Sequence, residues 1–330
     1  MSESRKKGFF TLPVLLGLLA LGCLAIWTVY WFYGAGVVRQ GAREWIEDQQ
    51  AMGRSVEYSA LNVTGYPYRF VLQADDPVID APDMQARWEG EKLQLVAMAW
   101  NFNHVIARAP GQNDFDLPDG QTFSFSADDS SAASFVWEDG NLRRVGLELP
   151  TLDAVLNESE RYTLTNGSIG LRPMPDEPRN LQLAVSFNNL SLPEAPEGAE
   201  WLGREVSELV IWGEIENFFS VIEDGLTVTE WKLDENRIEL VRGDLDMGPL
   251  DLSMRANVKL DRNNDPDGTV SLFLERSEDL ISALREAGSI DPQGEAIINA
   301  VAQASSNGTP LTVQVKERSI RLFGQTLAEY

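Results

Sequence analysis

Between Lys7 and Arg39 the chain runs 31 residues without a charged side chain, and the 25 residues Phe9–Tyr33 within that run are almost wholly apolar. This stretch constrains where the rest of the chain can fold. A helix rises about 1.5 Å per residue, so 25 residues reach roughly 37 Å, against a hydrocarbon core of about 30 Å. The length predicts a tilted single-pass anchor and exceeds the apolar region of a secretory signal. Gly34-Ala35-Gly36 has the small-residue composition of a signal cleavage site, so removal of the segment stands as the alternative. Trp27, Tyr30, Trp31, Phe32 and Tyr33 crowd the far end, where amphipathic rings favour the headgroup layer. Arg5, Lys6 and Lys7 flank the near end and predict a cytoplasmic N-terminus. Arg39 and Arg43 on the other side lie farther out and are followed by Glu44, Glu47 and Asp48. The expected organisation is a cytoplasmic tip at 1–8, an anchor at 9–33, a juxtamembrane helix at 34–52 and a β-rich body at 53–330.

The body is strongly acidic. The chain carries 27 Lys and Arg against 51 Asp and Glu, a formal net charge of −24. Such a surface does not seek nucleic-acid phosphates or anionic headgroups by electrostatics, so no nucleic-acid partner is expected. With 43% apolar residues and 9% aromatics, the chain has material for a real core. The one cysteine, Cys23, sits inside the anchor, so the body forms no disulfide. Exported eukaryotic domains of this size often carry disulfides, and their absence points to a bacterial inner membrane with the body in the periplasm. Ala20-Leu21-Gly22-Cys23 has some likeness to a lipoprotein box, but ten further apolar or aromatic residues follow instead of a polar linker. Five Asn-x-Ser/Thr sequons, at Asn62, Asn157, Asn166, Asn189 and Asn307, carry no meaning in a bacterium.

Beyond the anchor, strands dominate. Leu250, Leu252, Met254, Ala256, Val258 and Leu260 alternate with polar residues, the pattern of an antiparallel strand with one apolar face. Val270-Leu272-Leu274, Leu181-Leu183-Val185-Phe187, Val145-Leu147-Leu149 and Leu311-Val313-Val315 repeat the period of two. Segments 56–63 and 68–73 flank Gly65-Tyr66-Pro67 and predict a hairpin. Residues 278–287, capped by Ser277 and stopped at Gly288, form an expected short helix. Asp291-Pro292 opens a second one, completing a helical hairpin. Linker-like compositions at 110–120, 172–180 and 193–200 are expected to be loops. The predicted fold is mainly β: an N-terminal transmembrane helix followed by a large curved antiparallel sheet, partly covered by a few helices.

Catalytic constellations are scarce. His104 is the sole histidine, in Trp100-Asn101-Phe102-Asn103-His104, and no Gly-x-Ser-x-Gly elbow is present. There is no P-loop and no dinucleotide fingerprint. Carboxylate pairs such as Asp75-Asp76 and Asp128-Asp129 are too common in so acidic a chain to single out a hydrolase. No enzymatic activity and no cofactor is expected. Asn263, Asp265, Asp267 and Gly268 copy the opening of a calcium loop. Yet its twelfth position is Leu274 where Glu belongs, and Pro266 lies inside it. A turn at Asp267-Gly268 joining two strands accounts for the same residues. The apolar face of residues 250–260 has two readings: core, or an open groove for acyl chains with Leu250, Leu252, Met254, Val258 and Leu260 facing the lipid.

Gly65-Tyr66-Pro67-Tyr68-Arg69-Phe70, after an anchor and an intervening Trp45, resembles the signature of an alphaproteobacterial family of unknown function. Its members join an inner-membrane helix to such a hairpin and a long β-rich periplasmic body. Residues 243–250, the strand pair after them, the helical pair and the closing strands resemble the C-terminal part of AsmA-like envelope proteins. Those proteins use elongated sheets and are tied to lipid traffic and outer-membrane homeostasis. The resemblance implies a location and an architecture but no activity. The hexapeptide itself suits a turn followed by aromatic packing from Tyr66, Tyr68 and Phe70, with Arg69 on the opposite face toward water or a partner. Three functions follow as alternatives: lipid handling on an apolar sheet face, scaffolding of envelope proteins, and acid hydrolysis by two carboxylates.

Overall fold

The computed structural model describes residues 11–225, 227–233, 236–261, 263, 265–322 and 325–329. The expected cytoplasmic tip lies outside the described residues. Anchor and juxtamembrane segment form one continuous 41-residue helix, α1 (Thr11–Ala51). Its lone proline, Pro13, sits in the first turn, where a missing N–H costs nothing, so nothing downstream breaks the helix. Gly53, with φ +85°, stops it: the Arg54 N–H turns back to the Gln49 carbonyl at 3.1 Å. Gly34-Ala35-Gly36 is therefore helical interior, and Ala35 is buried.

Twenty strands follow among the described residues, all paired antiparallel. The first ten are β1 (Ser55–Glu57), β2 (Ala60–Thr64), β3 (Arg69–Asp75), β4 (Val78–Ala81), β5 (Ala86–Gly90), β6 (Lys92–Met98), β7 (Asn101–Arg108), β8 (Gly111–Asp116), β9 (Thr122–Ala127) and β10 (Ala132–Glu138). Then come β11 (Asn141–Leu156), β12 (Glu160–Pro173), β13 (Leu181–Ser191), β14 (Glu205–Ile215), β15 (Arg237–Met247) and β16 (Leu250–Leu260). Last are β17 (Pro266–Glu275), β18 (Leu311–Lys316), β19 (Ser319–Leu322) and β20 (Gln325–Glu329). From β11 to β20 each strand pairs with the next. On its other edge the 16-residue β11 divides its pairing, its first half with β10 and its second half with β9. The sheet forks there into two arms, β10-β7-β6-β3-β2 and β9-β8-β5-β4-β1, and is not closed into a barrel. Helix α1 packs against β1 and β2, the last strands of the two arms, and against β3 beside β2.

Four shorter α-helices are described besides, α2 (Phe218–Glu223), α3 (Val228–Leu233), α4 (Ser277–Glu286) and α5 (Pro292–Ser306), together with single 3-10 turns at Pro82–Met84, Pro118–Gly120 and Glu200–Leu202. The expected strands at 145–149, 181–187, 250–260, 270–274 and 311–315 all lie within strands, and the expected helical pair is present. Asp291 caps α5 as predicted, accepting a bond from the Gly294 N–H at 2.7 Å. Three local expectations are corrected. Ser277 begins α4 rather than capping it. Arg276 occupies the cap position with φ 42°, and its guanidinium bonds Asp246 and Asp251 across the β15–β16 turn. Residues 110–120 contain β8, because Asn113, fully buried, satisfies its amide on the Ala109 and Gly111 carbonyls and accepts from Trp88 Nε1. The turn after β16 lies at Asp261–Asp265, so Asp267 and Gly268 stand inside β17 opposite Lys259 and Val258.

Candidate functional site: an apolar cleft beside the anchor helix

The hexapeptide holds the anchor helix. Gly65 takes φ +102°, and a Cβ there would lie 2.6 Å from the Arg69 carbonyl oxygen, so the turn requires glycine. The Tyr66-Pro67 bond is cis. The turn presents its atoms to α1: Trp27 Nε1 donates to the Pro67 carbonyl at 2.9 Å, and Trp31 Nε1 to the Arg69 carbonyl at 3.1 Å. Thr28 and Tyr66 share a hydroxyl bond of 2.8 Å. From the neighbouring β6–β7 turn, the Ala99 carbonyl accepts from Tyr30 Oη at 2.7 Å. Phe70 stacks between Trp31 and Phe102, with centroids 5.4 and 5.6 Å away, in a cluster that also buries Ala35 and Ala99. Four of the five expected headgroup aromatics thus engage the body: Trp27, Tyr30 and Trp31 as described, and Phe32 by stacking on Tyr66 with centroids 6.1 Å apart; Trp31 is only 4% exposed. Tyr33 faces outward.

Farther along α1 the packing opens into a cleft of about 460 Å³. Ala42, Trp45 and Ile46 form its helical wall, one and two turns beyond the buried Ala35 and half-buried Val38. One sheet arm supplies Leu61, Leu72, Ala74, Leu93 and Leu95; the other supplies Val56, Pro77 and Ile79. Period two places them there: Leu72 stands opposite Leu95 and Ala74 opposite Leu93. The intervening Gln73 and Gln94 bond each other at 2.9 Å on the far face. Glu57 is the only charged residue lining the cleft. Trp45 and Tyr58 reach solvent at its mouth.

The other sequence candidates fall elsewhere. Leu250 and Leu252 pack into the cluster of Leu274, Leu280 and Val301 beneath α4 and α5. Met254 borders a second depression of about 450 Å³, whose walls include Arg242, Asp244 and Arg255. Val258 and Leu260 are half-buried. Asp265 and Asp267 face Arg318 and Lys316 across the β17–β18 edge, and Asp261 rather than Asn263 organises the turn by accepting the Asn263 and Asp265 N–H groups. His104 is exposed on β7, with Ser134 Oγ 2.9 Å from Nε2. Sequence reasoning missed the cleft because its walls come from five separated segments. The signal available was the run of apolar residues at period two in 72–74 and 93–95 together with Trp45.

Fold and cleft define a class: an antiparallel-sheet protein with one N-terminal helix long and apolar enough to anchor it in a membrane, and an apolar cleft beside that helix. The chain belongs to DUF2125, a family of uncharacterised proteins conserved in bacteria, whose family model matches residues 31–322. The match begins at the buried Trp31 and takes in the hexapeptide, both sheet arms and the helical pair. No curated protein and no solved structure matches the chain.

Proposed function

We propose that this is a non-enzymatic envelope protein, anchored in the bacterial inner membrane with its body in the periplasm, that holds a lipid acyl chain in the cleft between α1 and the two sheet arms. The observation that carries the reading is the lining: a cavity of about 460 Å³ within the range of ligand sites, walled almost wholly by aliphatic and aromatic side chains. An open cleft lined this way exposes apolar surface to water, and covering that surface with an apolar ligand is favourable. The three basic residues just before the helix, Arg5, Lys6 and Lys7, support the orientation. The resemblance of the segment from Gly243 onward to the C-terminal part of AsmA-like envelope proteins supports the same reading. The non-enzymatic part is supported by His104, whose Nε2 meets the Ser134 hydroxyl and which, among the described residues, has no carboxylate hydrogen-bonded to it.

The test is photocrosslinking of the full chain in vesicles that contain a phospholipid with a diazirine on its acyl tail, followed by peptide mapping. Adducts should appear at Trp45–Ile46 and at Leu72–Ala74, besides those of surrounding lipid at 13–26. Ala74→Phe fills the cleft and should remove the first set several-fold while sparing the second, with an unchanged circular dichroism spectrum. Adducts confined to 13–26 in both chains would rule the reading out and leave envelope-protein scaffolding ahead.

A further inference from the structure

We infer that the two turns pinned to the anchor, Tyr66-Pro67-Tyr68 and Met98-Ala99-Trp100, dip into the interfacial layer of the bilayer and set the height and tilt at which the body stands on the membrane. This surface is separate from the cleft and does not depend on its occupant. From Thr11 to Thr28 the helix rises about 26 Å, close to the hydrocarbon thickness of about 30 Å. At that level the first turn is bonded to Trp27 and Thr28, and the second to Tyr30. Both turns are therefore fixed where the helix leaves the membrane. Their side chains are apolar or amphipathic and point away from the fold: Tyr68 is 67% exposed and Trp100 61%, with Met98 and Phe102 beside them about half exposed. Exposed aromatic clusters of this kind mark contact surfaces, and Tyr and Trp are the residues that favour the headgroup layer.

Charge sharpens the assignment. Residues 64–68 and 98–103 contain no ionisable side chain other than tyrosine hydroxyls. The next turn along the same edge of the arm, between β10 and β11, carries Glu138 and Asp139. The turn after that, between β12 and β13, carries Asp176 and Glu177. So the edge is apolar only beside the anchor and turns acidic away from it, as a body touching the bilayer at one corner requires. The opposite end of the arm gathers Asp75, Asp76, Glu91 and Asp129. The partner that fits is the bilayer surface itself.

The experiment uses the full chain with Cys23→Ser, which removes the only cysteine, reconstituted into vesicles of phosphatidylethanolamine and phosphatidylglycerol. Spin labels are placed singly through Tyr68→Cys, Trp100→Cys and Asp129→Cys, all exposed positions that the fold tolerates. Relaxation by oxygen, which concentrates in the bilayer, is compared with relaxation by a water-soluble nickel chelate. At positions 68 and 100, access to the chelate should be several-fold lower than at 129, with oxygen access correspondingly higher. Chelate access at 68 and 100 equal to that at 129 would overturn the inference. Protection at only one of the two turns would overturn it as well, because both are held at the same level of α1.

Discussion

Two glycines in α1 test the docking of the anchor on the body. A Cβ at Gly34 would sit 2.7 Å from Phe70 Cζ, whereas at Gly36 nothing lies within 4 Å. Glycine in a helix interior costs about 0.5–1 kcal/mol relative to alanine. Gly36→Ala should therefore stabilise by about that amount. Gly34→Ala gains the same propensity but overpacks a ring held between Trp31 and Phe102, a cost of about 1–3 kcal/mol, so it should destabilise or at best break even. Thermal melts in detergent should rise for Gly36→Ala and stay level or fall for Gly34→Ala. Phe70→Ala, which empties the centre of the cluster, should lose about 3–5 kcal/mol. A second residue-scale prediction concerns pH. The hydroxyls of Ser130 and Thr151 and the Ser130 and Ser131 N–H groups hold the Asp128 carboxyl at about 2, below its ordinary 3.8. A depressed folded-state value adds stability that is present above the unfolded pKa and lost as pH falls through the folded one. Acid unfolding of the wild type should thus steepen between pH 3.8 and about 2, and Asp128→Asn should flatten that limb.

At the scale of elements, legibility followed periodicity. β16, β17, β13 and β18 were readable because apolar residues recur at every second position along them, and α5 was readable because Asp291-Pro292 is a capping signal. β8 was not, because Gln112-Asn113-Asp114 is polar throughout and its strand is held by a buried amide network that no local pattern encodes. The offset of the β16–β17 turn has a similar origin: Asp261 closes the turn through its side chain, which frees Asp267-Gly268 to continue the strand. The helical hairpin illustrates the limit from the other side. Its existence was legible but its role was not. β18 pairs with β17 only as far as Leu272, which leaves the Leu274 N–H beyond the ladder. Ser305 on α5 accepts that N–H at 2.9 Å and donates to the Val301 carbonyl. Ser305→Ala strands a buried donor, which should cost about 1–3 kcal/mol in denaturant unfolding and speed hydrogen exchange at the Leu274 amide.

At the scale of the whole molecule, the apolar run predicted an anchor, and the structure makes that helix also a wall of the fold. Nothing in the hydropathy of residues 9–52 distinguishes a tether from a packed element, because the contact is made by one face at Trp31, Ala35, Val38, Ala42 and Ile46, beyond the exposed apolar stretch. The forked sheet was equally invisible, since it depends on β11 exchanging one partner for another midway along its length. The consequence can be measured by truncation. A chain beginning at Trp27 keeps every contact between α1 and the arms, whereas one beginning at Gly53 loses them and uncovers Phe70, Leu72 and Leu95. Burial of Trp31 and Phe70 alone contributes about 3–6 kcal/mol, taking about 1.5–3 kcal/mol for each large apolar side chain. That is a large share of the 5–15 kcal/mol by which domains are typically stable. The 53–330 chain should therefore melt well below the 27–330 chain, bind a hydrophobic dye at low temperature and aggregate. Equal melting temperatures for the two would mean that the helix is only a tether and that the cleft lacks one of its three walls in solution.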